Sequence, residues 1–174
     1  MAERTPSQTV GPFYHEALRW KGGGRVAFAE SGARVVLVGR LFDGAGDPVA
    51  DALVETWQLS PSGGAAAPAS GASNPHGFGR VETAKDGTFR VETLMPGGGG
   101  APFLEVAIFA RGLLKALRTR VYLAPEAQVR ADPALESLAS SARLATLVAK
   151  PSGDAQFRWD VRLQGDGETV FFAA

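Results

Sequence analysis

The side chains best suited to metal or acid–base chemistry are few. The 174-residue chain holds His15, His76, Tyr14 and Tyr122, and it has no cysteine. Two imidazoles and two phenols would suffice, in number, for one four-ligand metal site. Such sites usually take at least two ligands from close spacing on one element, but only Tyr14 and His15 are neighbours here, and neighbouring residues of a strand point to opposite faces. The spacing therefore argues against a metal site built from these four residues.

Three arginines, Arg111, Arg118 and Arg120, flank a predicted turn. Arg118 and Arg120 lie on the same side of a predicted strand, because strand side chains alternate with a period of two. A guanidinium can hold a carboxylate through two parallel hydrogen bonds, which suits an anionic ligand. Interface salt bridges or a solvated face explain the same spacing equally well, so the arginines alone leave the choice open.

Two further segments are rich in turn-forming residues. Residues 1–33 precede the first predicted strand, and within them the stretch Thr5–Phe13 is polar and interrupted by proline and glycine. Its composition predicts an extended arm that crosses the subunit surface. The glycine run within Met95–Pro102 could cradle an anion, but no helix start or lysine follows at phosphate-loop spacing. We interpret that run as a loop.

The elements that must position these residues are predicted to be strands. Apolar alternation, β-branched residues and regularly spaced turns indicate an all-β sandwich, a single domain over residues 34–174. Val54 and Trp57 are expected to fill its core, and the Asp86-Gly87 step indicates a tight hairpin. Asp132 is a candidate N-cap for a short surface helix that begins at Pro133. The predicted strands are Arg34–Phe42, Ala52–Leu59, Gly79–Thr83, Thr88–Thr93, Phe103–Ala110, Leu117–Leu123, Phe157–Leu163 and Glu168–Phe172; Pro125–Arg130 is a second short helix, and Ser62–Ser73 a surface loop.

Composition narrows the class of protein. Hydrophobic residues make up 45% of the chain, and 18 basic residues balance 18 acidic ones. A chain of this length supports one sizeable core. Because the chain has no excess of positive or negative charge, neither nucleic acid nor a membrane surface is expected as a partner. The lack of cysteine, of a readable signal peptide and of a long apolar run predicts a cytoplasmic protein.

Several motifs occur in an order that resembles a known family. They are Thr5–Phe13, Val38–Gln58, Gly77–Arg80, Asp86–Pro96 and Ile108–Tyr122. Together they are similar to the intradiol ring-cleavage dioxygenases, and more narrowly to the metal-free α chains of the two-chain enzymes in that family. The resemblance implies a β-sandwich of the prealbumin-like type with short surface helices.

The resemblance also implies an activity and a partner. Enzymes of this type insert both atoms of O2 into protocatechuate and form 3-carboxy-cis,cis-muconate in the β-ketoadipate pathway. Their Fe(III) is held by the β chain through two tyrosines and two histidines, and αβ pairs assemble into a higher oligomer. We therefore expect a β-chain partner, with iron bound by that chain rather than by this one.

The ligand positions of the metal-bearing chains can be matched to this sequence. Those chains carry a tyrosine shortly after the Trp-Gln of the second strand, a tyrosine after Pro-Gly, and two histidines at the start of the next strand. Here Trp57-Gln58 is followed by Leu-Ser-Pro-Ser-Gly-Gly and Pro96 by glycines, and the histidine positions carry Phe103 and Glu105. All four ligands are missing, so no metal ligand and no catalytic residue is expected on this chain alone.

A role in the substrate pocket remains. In this family the α chain contributes an amino-terminal Thr-x-Gly-Pro segment and an arginine from an Ala-Arg-Gly turn to the pocket wall. The matching residues here are Thr9, Gly11, Pro12 and Arg111. A glycine–proline backbone allows close approach, and a guanidinium favours negative charge on a diphenolate or its carboxylate.

Two other functions are compatible with the same strands. A stand-alone transthyretin-like binding module needs only a strand–turn–strand unit such as Val36–Trp57. A self-sufficient catechol dioxygenase homodimer is disfavoured by the missing ligands. Dependence on a partner chain separates the first from an α subunit, and iron analysis of the single chain separates the second.

Overall fold

Eight strands occur in the part of the chain that the computed structural model describes, which comprises residues 6–19, 21–65, 76–138 and 140–173. The predicted loop Ser62–Ser73 lies outside these residues beyond Ala65. The strands are β1 Arg34–Phe42, β2 Leu53–Trp57, β3 Phe78–Glu82, β4 Thr88–Leu94, β5 Phe103–Phe109, β6 Leu117–Tyr122, β7 Lys150–Gly153 and β8 Gln156–Arg162; the helices are α1 Tyr14–Leu18, α2 Glu126–Val129 and α3 Ser141–Ala145, with a 3-10 turn at Pro133–Leu135.

The strands form two four-stranded sheets, with the orders β4-β1-β8-β7 and β3-β2-β5-β6. All neighbours are antiparallel except β1 and β8. Buried side chains alternate with more exposed ones along β1 and β5, and the inward residues of both sheets form one hydrophobic cluster. This cluster includes Leu37 and Ile108, both fully buried, each worth roughly 1.5–3 kcal/mol. The all-β prediction is confirmed as a sandwich-like pair of sheets.

The predicted Asp-Gly turn is present, but its two strands do not pair with each other. Gly87 has φ +77°, and a Cβ there would lie 2.6 Å from the carbonyl oxygen of Leu41, so glycine is required on both counts. However, β3 pairs with β2 while β4 pairs with β1. The turn therefore carries the chain from one sheet to the other. The residues of the turn determine its local conformation, whereas the strands β1 and β2 determine what β4 and β3 pair with.

The expectation that Trp57 fills the core is wrong. Val54 is fully buried and Trp57 is 50% exposed. The two residues are three positions apart, so the two-residue period of β2 places them on opposite faces. The Trp57 ring lies on the outer face of the sheet and packs on Phe78, with ring centroids 4.3 Å apart.

The end of the chain also differs from the prediction. Glu168–Phe172 is not a strand; Phe172 makes a single bridge to Arg118, and Val170 is buried in a second hydrophobic cluster. Instead, Lys150–Gly153 forms β7 against β8. All four residues of β7 are exposed, so this edge strand has no apolar alternation by which its sequence could reveal it.

The two short helical segments after β6 are confirmed, and they do more than connect. The Asp132 carboxylate caps the 3-10 turn by accepting a hydrogen bond from the Ala134 amide at 2.9 Å. Val129 and Leu135 are buried against Tyr122 in the second cluster. These segments thus contribute to a second hydrophobic core. None of the described helices is long and apolar enough to cross a membrane.

The packing of Gly39 on Phe89 provides a test of the inter-strand register. These residues face each other across β1 and β4, and a Cβ on Gly39 would overlap the Phe89 ring. We expect Gly39→Ala to destabilise the chain by about 1–3 kcal/mol in chemical denaturation. The control is Gly100→Ala, where no atom lies within 4 Å of the added Cβ. Equal midpoints for the two variants would contradict this packing.

Candidate functional site

The hydroxyl of Thr9 joins the amino-terminal segment to the turn after β5. It accepts a hydrogen bond from the Gly112 amide at 2.8 Å and donates one to the Ala110 carbonyl at 3.3 Å. The two bonds lie on either side of Arg111 in the chain. Two of the four predicted pocket residues, Thr9 and Arg111, are thereby brought together by the fold.

The Arg111 side chain is held by Asp51. One guanidinium nitrogen, Nη2, lies 2.6 Å from Asp51 Oδ2. The antiparallel register of β2 and β5 pairs Leu53 with Phe109, and its continuation by two residues sets position 51 opposite position 111. The arginine is 60% exposed and the aspartate 39%, so their attraction is worth at most about 1 kcal/mol. Its main effect is on the direction of the guanidinium.

The other two predicted pocket residues, Gly11 and Pro12, are exposed. A Cβ at Gly11 would meet nothing within 4 Å, so no contact among the described residues requires glycine there. The segment is not extended throughout, because the chain turns after Pro12 into the five-residue helix α1. The Tyr14 amide closes this turn on the Gly11 carbonyl at 3.3 Å. Tyr14 and His15 therefore lie on a helix, not on a strand.

Tyr14 is buried at the start of α1, close to the ion pair. Burial and the negative charges of Asp51 and Glu82 raise the pKa of its phenol to about 12, and Arg111 opposes them. The phenol is therefore neutral at physiological pH. A neutral, buried phenol is poorly suited to act as an anionic ligand.

The carboxyl end of α1 is fastened by Arg80 on β3. Nη1 of this arginine donates to the Leu18 carbonyl at 2.8 Å, and Nε donates to Glu55 Oε1 at 2.7 Å. A helix end leaves carbonyls without an intrahelical partner, and a cation satisfies one of them here. The amino-terminal segment is thus attached at both Thr9 and Leu18. The sequence offers no local signal for this contact, which joins residues 62 positions apart.

Arg111 and Arg120, two of the three arginines near the β5–β6 turn, do not act as one group. Arg120 binds Glu105, with Nε 2.8 Å from Oε1, and its Nη1 lies 3.4 Å from Asp132 Oδ2. Its guanidinium also lies over the Phe103 ring, 4.4 Å from the centroid. Arg111 and Arg120 have different carboxylate partners. A single anion site built from both is therefore not formed.

Tyr122 and His76 are both buried and both make contacts within the fold. Tyr122 is fully buried and donates its phenolic proton to Asp132 at 2.6 Å. Burial raises its pKa to about 12, and the hydrogen bond to Asp132 acts in the same direction, while the bond from Arg120 lowers it. His76 is buried and forms a bridge with Ala27. Within the described ranges, no group of three or more His, Cys, Asp or Glu residues could hold a metal ion.

The two positions matched to histidine ligands line one cavity. Phe103 and Glu105, together with Trp57, Leu59 and His76, surround a volume of about 420 Å³. A phenyl ring has no donor atom, and the Glu105 carboxylate already binds Arg120. One imidazole and one occupied carboxylate do not make the four-donor set that the resemblance implies for Fe(III). The described residues of this cavity do not fit iron.

A second concave region lies between α1 and β3, with a volume of about 770 Å³. Its lining carries several cations, but Arg19 is 2.7 Å from Glu82 and Arg90 is 3.2 Å from Glu92. These charges are already paired on an open surface, so we do not take this region as the functional site.

Comparison with known proteins identifies the class. The family described as Dioxygenase matches residues 11–102. An intradiol ring-cleavage dioxygenase from Tetranychus urticae has the same fold, with a TM-score of 0.60 at 17% identity over 80% of this chain and 84% of its own. The chain belongs to the intradiol dioxygenase family, and the sequence resemblance is confirmed.

The similarity to particular members extends over nearly the whole length. The protocatechuate 3,4-dioxygenase alpha chain of Burkholderia cepacia is 39% identical over 98% of this chain and 97% of its own. The alpha chain of the same enzyme from Pseudomonas putida is 35% identical over 97% and 95%. Both relatives are alpha chains of protocatechuate 3,4-dioxygenase.

The attachment of the arm can be tested at Thr9. We expect Thr9→Val to remove both hydrogen bonds to the turn and so to increase amide hydrogen exchange at Gly112 about two- to tenfold, as the loss of about 1 kcal/mol implies. Thr9→Ser retains the hydroxyl and serves as the control. Protection at Gly112 that is unchanged in Thr9→Val would contradict the contact.

The two tyrosines make a second test, because the chain has no others. Both have a pKa of about 12, above the ordinary value of 10.0. The folded state therefore holds its phenolic protons more tightly than the unfolded chain, and stability declines as the pH rises from 10 towards 12. We expect the 295 nm phenolate absorbance to develop only above pH 10, and Tyr14→Phe and Tyr122→Phe each to remove half of it. A folded chain that titrates at pH 10 would contradict this.

Proposed function

We propose that this chain is the iron-free α subunit of a protocatechuate 3,4-dioxygenase, in which a β chain holds Fe(III). The near-full-length similarity to α chains of that enzyme supports the assignment. The donor set around Phe103 and Glu105, which does not suit iron, supports placing the metal on the partner. In the assembled enzyme the oxidative chemistry belongs to the β chain, and this chain shapes the substrate pocket.

The observation that carries the proposal is the contact of the Thr9 hydroxyl with both sides of Arg111. It supports a pocket wall to which Thr9, Gly11, Pro12 and Arg111 contribute together. The guanidinium of Arg111 has five donors and its pair with Asp51 occupies only part of them, so the remainder can bind a substrate carboxylate. The exposed Gly11–Pro12 backbone allows a partner's ligand to approach closely.

The proposal extends to organisation. Residues 1–33 form the arm that contacts the partner, and residues 34–174 form the single sandwich domain of the prealbumin-like type. The αβ pairs assemble into a higher oligomer, and the enzyme works on protocatechuate in the β-ketoadipate pathway. A cytoplasmic location remains a prediction from the cysteine-free composition.

Co-expression with a protocatechuate 3,4-dioxygenase β chain tests the assignment. We expect a coloured, iron-containing complex that consumes O2 with protocatechuate, and a single chain that purifies without iron. A stable monomer that no β chain converts into such a complex would favour the stand-alone binding module. Stoichiometric iron in the single chain would favour the self-sufficient homodimer.

The pocket role of Arg111 has its own test in the assembled enzyme. Because a charge-assisted hydrogen bond contributes about 1.5–3 kcal/mol and this site is partly exposed, we expect Arg111→Ala to raise KM for protocatechuate about five- to tenfold. Catechol lacks the carboxylate and should be affected less. Arg111→Lys keeps the charge and should recover part of the loss. Unchanged steady-state constants in Arg111→Ala would overturn the role.

A further inference from the structure

We propose that Asp51 is a positioning residue, which holds the guanidinium of Arg111 in the direction that the substrate requires. The inference rests on the proposed function, because it takes Arg111 as part of the substrate pocket. It concerns a residue that lies within the Val38–Gln58 motif but to which the sequence alone assigned no role. Three observations lead to it: a backbone conformation, an ion pair and the surroundings of that pair.

The backbone of Asp51 adopts a conformation that favours glycine. Its φ is +56°, and among the described residues only Asp51 and Ala155 combine a side chain with a positive φ. A left-handed conformation is unfavourable for residues with a Cβ, although aspartate tolerates it better than most. Glycine would adopt this turn with less strain. Residues kept in sparsely populated backbone conformations cluster at functional sites, so this conformation indicates a functional side chain.

The carboxylate of Asp51 has a defined target. Oδ2 lies 2.6 Å from Nη2 of Arg111, across the continuation of the β2–β5 register. A long arginine side chain would otherwise sample many rotamers, and ordering it on substrate binding would oppose the binding. A carboxylate that holds one edge of the guanidinium removes part of that cost in advance. The remaining donors keep a fixed direction.

The surroundings restrict the same guanidinium further. The Thr9 hydroxyl bonds to the backbone on both sides of Arg111. The buried Tyr14 lies close to the ion pair, since the charges of Asp51 and Arg111 both act on the pKa of its phenol. Asp51 also offsets part of the positive charge that would attract any anion. Removal of the Asp51 carboxylate therefore has two opposing effects on KM. Loss of the alignment of Arg111 raises KM, whereas loss of the charge neutralisation alone would lower it.

The test uses Asp51→Gly and Asp51→Ala in the assembled αβ enzyme. Both remove the carboxylate, but only glycine relieves the backbone. We expect KM for protocatechuate to rise about two- to fivefold to the same extent in both variants, with kcat within about twofold, while Asp51→Ala has the lower thermal midpoint. Asp51→Asn retains an acceptor oxygen and tolerates the turn, so it should recover part of the loss.

Two results would overturn the inference. One is a KM that follows stability, with Asp51→Gly equal to the wild type and only Asp51→Ala impaired, because the role of Asp51 would then be structural. The other is a lower KM in Asp51→Gly, which would mean that the carboxylate only reduces the positive charge.

A double-mutant cycle separates this inference from the proposed function. If Asp51 acts through Arg111, Asp51→Gly combined with Arg111→Ala should have the KM of Arg111→Ala alone. Additive effects would overturn the inference. If Arg111→Ala itself leaves the constants unchanged, the pocket role fails and the inference fails with it; if Arg111→Ala acts and the Asp51 variants do not, only the inference fails.

Discussion

The antiparallel register between β2 and β5 fixes both the core and the candidate site. It buries Val54 opposite Ile108 inside the sandwich, and its continuation beyond the strands sets Asp51 opposite Arg111. Because side chains alternate with a period of two, a slip by one residue would expose the buried set and separate the ion pair. The apolar side chains that stabilise the fold therefore also decide where the guanidinium lies.

The amino-terminal arm is attached to this frame at several points along its length. Residues 9–18 are attached through the Thr9 hydroxyl, the Arg80 guanidinium and the buried ring of Tyr14. Further along, the backbone carbonyls of Gly23 and Gly24 accept hydrogen bonds from β3 and β4. Such polar contacts contribute about 1 kcal/mol each, whereas the inter-sheet core buries many apolar side chains. Residues 9–18 are therefore held by a few contacts of modest strength, whereas the apolar core supplies most of the stability of the sheets.

The positions matched to the histidine ligands are part of a cluster of contacts around Arg120. There the guanidinium of Arg120 bonds to Glu105 and Asp132 and lies over the Phe103 ring. Burial lowers the pKa of Arg120, but its bond to Tyr122 and the charge of Glu105 more than compensate, so the net direction is upward and the group stays charged. The Arg120 guanidinium thus pairs with the carboxylates of both Glu105 and Asp132. The same fold can therefore be stable without metal there.

The sequence by itself determined most of the strands, most turns and the class of protein. Alternation predicted β1 and β5, Asp132 was recognised as a cap, and the ordered motifs indicated the family. Periodicity, capping and turn chemistry are local signals, because they involve residues only a few positions apart. The edge strand Lys150–Gly153 escaped for the same reason, since its exposed residues carry no period.

Only the tertiary structure decided which strands pair and which side chains meet. The sheet change at Gly87, the exposure of Trp57 and the pairing of Asp51 with Arg111 all follow from contacts between distant segments. The register could have predicted that pair once β2 and β5 were known to be neighbours. Their adjacency is set by the total burial of two sheet faces against each other, a quantity that no single stretch of sequence contains.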